Sequence, residues 1–195
     1  MLKLILAVFC VVLAAPVMPA SAESLTISLE AGTERAPKDF SRAVLNYDIL
    51  SVTRTYDSGF TWTAQVQNYR AASHGPVTWA TEGLLGYRHP VSASLSIYGN
   101  VGAGERLSPT RDFPYVSARL GADDALGHGF TWNAVNLRYR TGWDRQFPYH
   151  STTAGTGLSW QASDQVALYG RAFAVFNTGY RFAGTGLGLG ARVFL

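Results

Sequence analysis

The sequence contains very little cysteine and lysine, and neither scarcity fits an ordinary small secreted domain. Cys10 is the single cysteine of 195 residues and lies in the apolar N-terminal segment, so residues 23–195 have none. Disulfides therefore cannot stabilise that part of the chain, although small exported domains commonly depend on them. Lys38 is the one lysine after residue 22, against 14 arginines. Because water-facing surfaces usually carry many lysines, this composition indicates that much of the surface does not face bulk water.

Other absences exclude several classes of function. The net charge of +3 is weak and no basic run occurs, so we do not expect nucleic acid as a partner. No HxH, HExxH or acidic loop with coordinating spacing is present, and we therefore expect neither a metal site nor another cofactor. After residue 22, no stretch is apolar for the 18 or more residues that mark a transmembrane helix.

The first 22 residues have the pattern of an export signal. Lys3 precedes an apolar run at residues 4–15, and Ala20-Ser21-Ala22 supplies the small residues that signal peptidase requires. The apolar run is too short for a membrane-spanning helix, which needs roughly 20 residues. We therefore expect cleavage after Ala22 and a mature domain that comprises residues 23–195.

Alternation of apolar and polar residues with period two dominates the rest of the chain. Ten such segments are separated by clusters of Gly, Pro, Asp and Asn, which is typical of strands and turns. The segments are residues 24–31, 41–56, 60–70, 77–88, 92–104, 113–122, 130–140, 151–161, 165–176 and 184–195. This pattern predicts an all-β fold, an antiparallel barrel of about ten strands, with eight as the alternative count.

Each segment has an apolar face and a polar face, and this pattern indicates on which side of the sheet each side chain lies. In the last segment the apolar side chains lie opposite three glycines and Arg192, and we interpret the glycines as making room for bulky inward neighbours. The second segment is less regular, and its phase is unclear after Leu50. Its apolar face is assigned to Ala43, Leu45, Tyr47 and Ile49, and its polar face to Asn46 and Asp48.

Three features favour a transmembrane barrel over a soluble sandwich or lipocalin. Apolar faces recur in nearly every segment, as a closed sheet in lipid requires. The connections alternate in length, as membrane barrels alternate between short turns and longer outer loops. The short ones are residues 57–59, 89–91 and 162–164, and the longer, charged ones are residues 32–40, 105–112 and 141–150. The connection at residues 123–129 is long for a turn. Aromatic residues also cluster at the segment ends, as in interfacial girdles, and those near the short connections are Tyr56, Phe60, Trp62, Tyr87, Phe130, Trp132 and Trp160.

With these features, residues 23–195 resemble the small outer-membrane β-barrel proteins of Gram-negative bacteria as a broad class. The resemblance includes the closing segment Leu189-Gly190-Ala191-Arg192-Val193-Phe194-Leu195. It implies a protein of the outer membrane, in contact with outer-membrane lipid and inserted by the barrel-assembly machinery. That machinery commonly recognises a terminal Phe, whereas here Phe194 precedes the final Leu195.

Charged side chains on the polar faces form the candidate site. The carboxylates lie on the first, second and fourth strands and the arginines on the sixth, seventh, ninth and tenth, so a closed barrel places them on opposing arcs of the lumen. Two interpretations stay open: the charges pair and fill a narrow interior, or the arginines guide small anions through a narrow pore. The predicted lumen charge cluster is Glu30, Asp48, Glu82, Arg119, Arg138, Arg171 and Arg192.

A catalytic site has less support in the sequence. His150, Ser151 and Asp144 form the one tempting group, but adjacent strand residues point to opposite faces. We therefore assign no catalytic residue and do not expect an enzyme. The pattern predicts a structural or narrow-channel, porin-like role. The alternatives are a surface adhesion or interaction protein acting through its outer loops and, third, an outer-membrane lipid-modifying enzyme.

Overall fold

The computed structural model describes residues 22–73, 75–143 and 149–195, and ten antiparallel strands account for most of them. Each strand pairs with the next along the chain, and β10 pairs with β1, so the sheet closes into a barrel. The prediction of a ten-stranded antiparallel barrel is confirmed. The strands are β1 (Ala22–Ala36), β2 (Asp39–Tyr56), β3 (Phe60–Ala71), β4 (Val77–Pro90), β5 (Leu95–Leu107), β6 (Phe113–Gly127), β7 (Phe130–Gly142), β8 (His150–Ser163), β9 (Val166–Asn177) and β10 (Arg181–Phe194).

In the described ranges, no helix is long and apolar enough to cross a membrane. The predicted export signal lies outside the described residues, apart from Ala22 at the start of β1.

The two ends of the barrel differ in their connections. One end, called the turn end below, carries the short connections 57–59, 91–94, 128–129 and 164–165. Gly59 has a φ of 86° there, and its N–H donates to the Tyr56 carbonyl at 2.8 Å. The opposite end, the loop end, carries the connections that follow β1, β3, β5, β7 and β9, and the one at residues 108–112 is longer than any at the turn end. The expected long connection at residues 32–40 is wrong, because β1 and β2 both extend into it and only residues 37–38 separate them.

The expected long connection at residues 123–129 is wrong. β6 continues to Gly127, and the turn consists of His128 and Gly129, with φ values of 52° and 78°. Two register shifts interrupt the β6–β7 pairing, one after Ala122 and one after Ala125. A β-bulge adds a residue to one strand and breaks the two-residue alternation, so this part of the strand has the sequence pattern of a loop.

Large apolar side chains cover the outside of the barrel. Leu29, Val101, Leu120 and Leu189 are each 60 % or more exposed, on four different strands. A water-soluble monomer rarely exposes so extended an apolar surface. On this face near the turn end, the Phe130 and Trp160 rings stack with their centroids 6.5 Å apart.

In five cross-strand pairs, a glycine lies opposite an inward-facing aromatic residue. Added Cβ atoms at Gly186 and Gly190 would overlap the rings of Phe173 and Tyr169 on β9. The rings therefore lie flat over neighbouring glycines, which fills the lumen without pushing the strands apart. The other three pairs are Gly32 with Tyr47, Gly104 with Tyr115, and Gly121 with Tyr98.

The phase assigned to the middle of β2 is wrong. Tyr47 is buried in the lumen, where its hydroxyl donates to Glu30 Oε1 at 2.8 Å. Asp48 therefore points outward, and it forms an ion pair with Arg70 at 2.5 Å in which both side chains are substantially exposed. The assignment is wrong because apolar residues occupy both faces of this strand. In addition, it counts the tyrosine as apolar for its ring, although its hydroxyl needs a polar partner.

Candidate functional site

A cluster of charged side chains lies in the lumen near the middle of the barrel wall. Its centre is Glu82 on β4, whose carboxylate is only 1 % exposed. Oxygen Oε2 accepts a hydrogen bond from Arg119 of β6 at 2.9 Å and from Arg140 of β7 at 2.6 Å. Arg138 of β7 donates to the same oxygen. One carboxylate thus faces three guanidinium groups, and the local charge is +2.

Polar side chains of β3 complete this group, which we call the Glu82 cluster. Arg119 Nη2 donates to Gln65 Oε1 at 2.8 Å, and Arg140 Nη1 donates to the Tyr69 hydroxyl at 3.0 Å. Because β3 and β7 are four strands apart in the closed sheet, the Arg140–Tyr69 bond crosses the lumen. The cluster consists of Gln65, Gln67, Tyr69, Glu82, Arg119, Arg138 and Arg140.

A second, smaller group lies on the opposite arc of the lumen. Arg171 of β9 donates through Nε to Glu30 Oε1 of β1 at 2.7 Å, and Tyr47 donates to the same oxygen. The Arg171 guanidinium carbon lies 4.8 Å from the centre of the Phe173 ring, within the range of a cation–π contact. In this group, one cation meets one carboxylate and the charge is balanced.

Charges also line the lumen towards the turn end. Arg88 Nη2 donates to Asp123 Oδ2 at 2.7 Å, and its Nη1 donates to Ser96 Oγ at 2.7 Å. Tyr98 lies beneath this pair, with its ring 5.1 Å from the Arg88 guanidinium carbon. Because Arg88 is paired with Asp123, this layer adds no net charge to the lumen.

Towards the loop end, Arg106 lies between aromatic rings. Its guanidinium carbon is 5.8 Å from the Tyr69 ring centre, 6.0 Å from that of Phe113 and 5.5 Å from that of Tyr149. Glu34 of β1 lies on the lumen face as well, and within the described ranges no contact ion pair joins it to Arg106. These rings hold the arginine in place without neutralising it.

Positive charge exceeds negative charge in the lumen. Leaving aside the first and last residue of each strand, the inward-facing carboxylates of the described ranges are those of Glu30, Glu34, Glu82 and Asp123, while seven arginines face inward. The lumen therefore has an excess of three positive charges. The inward arginines are Arg88, Arg106, Arg119, Arg138, Arg140, Arg171 and Arg192.

The structure brings together most of the residues predicted from the sequence, but in two groups. Glu82 contacts Arg119 and Arg138, and Glu30 contacts Arg171. Arg192 faces the lumen near the turn end, with its guanidinium carbon 4.5 Å from the Tyr169 ring centre. Asp48 belongs to neither group because it lies on the outer face.

Arg140 was not included in the predicted cluster, although it is the most buried of the three arginines around Glu82, with its side chain 7 % exposed. The signal was present in the sequence. Arg140 follows Arg138 by two residues in a segment of period two, so both must point to one face.

The tempting catalytic group does not assemble among the described residues. His150 Nδ1 lies 3.1 Å from the Tyr139 hydroxyl and its ring stacks on Tyr139, whereas Ser151 pairs with the inward-facing Arg140 and points the other way. Asp144 lies outside the described residues. The described part of the chain also contains no group of three or more His, Cys, Asp or Glu side chains placed to hold a metal ion.

Comparison with known proteins adds evidence on the fold. The sequence matches no protein-family model and no curated protein. Among solved structures, an outer membrane channel from Pseudomonas putida F1 superimposes with a TM-score of 0.57 at 8 % identity, over 93 % of this chain and 98 % of that one. The chain has the fold of outer-membrane β-barrel proteins.

Two other solved structures are similar to a lesser degree. The KdgM porin gives a TM-score of 0.49 at 14 % identity over 86 % of this chain and 98 % of the porin. The translocator domain of the autotransporter NalP from Neisseria meningitidis gives 0.49 at 13 % identity over 88 % of this chain and 87 % of that domain. The similarity to the Pseudomonas putida F1 channel, together with the closed ten-stranded sheet, confirms the predicted resemblance to outer-membrane barrels at the level of fold.

Proposed function

We propose that this protein is an integral outer-membrane barrel whose narrow lumen conducts small anions. The excess of three positive charges in the lumen carries the proposal. A barrel filled only for structural reasons would be expected to balance its interior charges, because an uncompensated charge away from water costs several kcal/mol. Water and mobile anions compensate the extra arginines if the lumen is a conducting path.

The outer surface supports the membrane part of this proposal. Leucine and valine side chains exposed by more than half on several strands match the apolar band of a barrel in lipid. The turn end, whose connections are all short, would face the periplasm and the loop end the exterior, as is usual for bacterial barrels. In the cell, this placement requires the predicted export signal of residues 1–22 and the barrel-assembly machinery.

A closed structural barrel is the second candidate, and one observation favours it. The bonds from Arg140 to Tyr69 and from Arg138 to Gln67 cross the lumen between strands four positions apart. Side chains that bridge the lumen in this way narrow any path beside them. The two candidates differ in whether the remaining lumen carries ions.

Planar-bilayer recordings on the refolded protein distinguish these candidates. We expect small unitary conductances and, in a potassium chloride gradient, a reversal potential that shows chloride preference. Arg106→Gln and Arg192→Gln remove two cations that have no carboxylate within ion-pair distance among the described residues, so together they should reduce this preference. Arg70→Gln on the outer face is the matched control and should leave it unchanged. A barrel that inserts but carries no current would refute the channel and favour the closed one.

A further inference from the structure

The Glu82 cluster contains more hydrogen-bond donors than its own acceptors can use. The Nε atoms of Arg119, Arg138 and Arg140 are buried and have no acceptor among the described residues. The same holds for the side-chain amide nitrogens of Gln65 and Gln67. Glu82 Oε1 is likewise buried without a partner among the described residues, so five unused donors stand against one unused carboxylate oxygen. Buried polar groups in proteins are nearly always hydrogen-bonded, and this surplus of donors is therefore unusual.

The two glutamines are the most informative of these groups. Gln67 is 1 % exposed and Gln65 is 5 % exposed, so bulk water cannot satisfy their amide nitrogens. Their Oε1 atoms already accept from Arg138 and Arg119, which turns the amide nitrogens into fixed, unused donors beside the guanidinium groups. Such a combination of fixed donors and positive charge suits an anionic ligand that has several acceptor oxygens.

Charge defines the ligand class more narrowly. Three guanidinium groups and one carboxylate leave two positive charges in the cluster, which a dianion would neutralise. A tetrahedral oxyanion offers several acceptor oxygens in a small volume, and guanidinium groups bind such oxygens in bidentate geometry. Chloride, by contrast, has one charge and would leave the cluster positive.

An anion in the lumen can reach the cluster. The Arg119 and Arg138 side chains are 20 % and 14 % exposed, whereas Glu82 is almost fully covered. These two arginines therefore present the accessible edge of the cluster, and small rotations of their long side chains would turn the unused Nε donors towards a ligand.

We propose that Arg119, Arg138 and Arg140, together with Gln65 and Gln67, form a binding site for a dianionic tetrahedral oxyanion such as hydrogen phosphate. This inference rests on the proposed anion path, since the ligand reaches the site through the lumen, and it names the solute class that the path selects. Glu82 acts as a tethered anion that holds the three arginines together.

Thermal unfolding of the refolded protein in detergent tests the site directly. Inorganic phosphate should raise the midpoint in a saturable way, and sodium chloride at equal ionic strength should not, because a ligand that binds only the folded state stabilises it. Arg138→Gln should weaken the phosphate effect on the order of tenfold, as expected for the loss of a charge-assisted hydrogen bond. The outer-face variant Arg70→Gln is the control and should respond like the wild type.

Replacement of Glu82 gives a second, independent test. Glu82→Gln removes the tethered negative charge, so phosphate should bind this variant on the order of tenfold more tightly and restore much of its lost stability. Glu30→Gln is the matched control, because it exposes one cation rather than three and should gain little from phosphate. If Glu82→Gln does not fold, the Arg138→Gln comparison still decides the question.

The outcomes separate this inference from the proposed function. A barrel that prefers chloride over potassium in bilayers, but is stabilised equally by phosphate and chloride, would overturn the oxyanion site and leave the channel standing. Saturable phosphate stabilisation lost in Arg138→Gln, in a barrel that carries no current, would support the site and refute the channel.

Discussion

Glu82→Gln is the substitution for which we expect the largest loss of stability. The carboxylate is 1 % exposed and accepts hydrogen bonds from three arginines on two strands. Glutamine has nearly the same shape, but it carries no charge, and its amide nitrogen would direct two further donors at the guanidinium groups. The change therefore breaks the cluster without creating a cavity.

The size of the effect follows from the burial of the arginines that remain. Removing one partner of a buried ion pair costs about 3–5 kcal/mol, because the other charge is left uncompensated. Arg140 is 7 % exposed and cannot rehydrate in place, whereas Arg119 and Arg138 recover part of their hydration from the lumen. We therefore expect a loss of about 3–5 kcal/mol, and not three times that amount.

Urea unfolding from lipid vesicles, followed by tryptophan fluorescence, measures this loss. Asp48→Asn is the matched control, since it neutralises a carboxylate whose partner Arg70 lies on the outer face with its side chain 52 % exposed; an exposed pair contributes about 0–1 kcal/mol. Exchanging the charges in Glu82→Arg with Arg138→Glu should recover part of the loss. If Glu82→Gln is as stable as Asp48→Asn, the cluster does not stabilise the barrel and this reasoning is wrong.

Three further predictions concern the wall of the barrel. Gly188→Ala would place a Cβ against the Tyr47 hydroxyl and 2.5 Å from Glu30 Oε1, so it should lower the free energy of unfolding by about 1–3 kcal/mol in the same urea assay. Gly83→Ala is the control, because its Cβ would have no atom within 4 Å, and it should be neutral or stabilising. Tyr47→Phe removes the hydrogen bond to Glu30 and should lower the free energy of unfolding by about 1–3 kcal/mol, while circular dichroism shows unchanged strand content. An unchanged free energy of unfolding would show that this hydrogen bond contributes nothing. Leu137→Arg puts a charge on the outer face, so it should lower the free energy of unfolding by roughly 2–4 kcal/mol and impair membrane insertion. Ser159→Arg, on the inward face, should insert well. Equal insertion of both variants would contradict the assigned faces.

The number of strands, the outer face of most strands and the role of the inward glycines could be predicted from the sequence alone. All three depend on local patterns: period-two alternation assigns the faces, turn residues separate the strands, and glycine at alternate positions of β10 marks where a bulky neighbour lies. The predicted inward direction of Glu82, Arg119 and Arg138 agrees with the contacts that they make. These inferences need no knowledge of which strands meet across the barrel.

Only the tertiary structure decided which charges meet. The convergence of three arginines on Glu82 depends on the register of the four strands β4 to β7 and on side chains that cross the lumen, and no local pattern encodes either. The same is true of Tyr47, which faces inward because its hydroxyl finds Glu30 on the neighbouring strand, and of Asp48, which consequently meets Arg70 outside. Alternation defines two faces for every strand, but where apolar and polar residues occupy both, the partners that other strands supply determine which face turns inward.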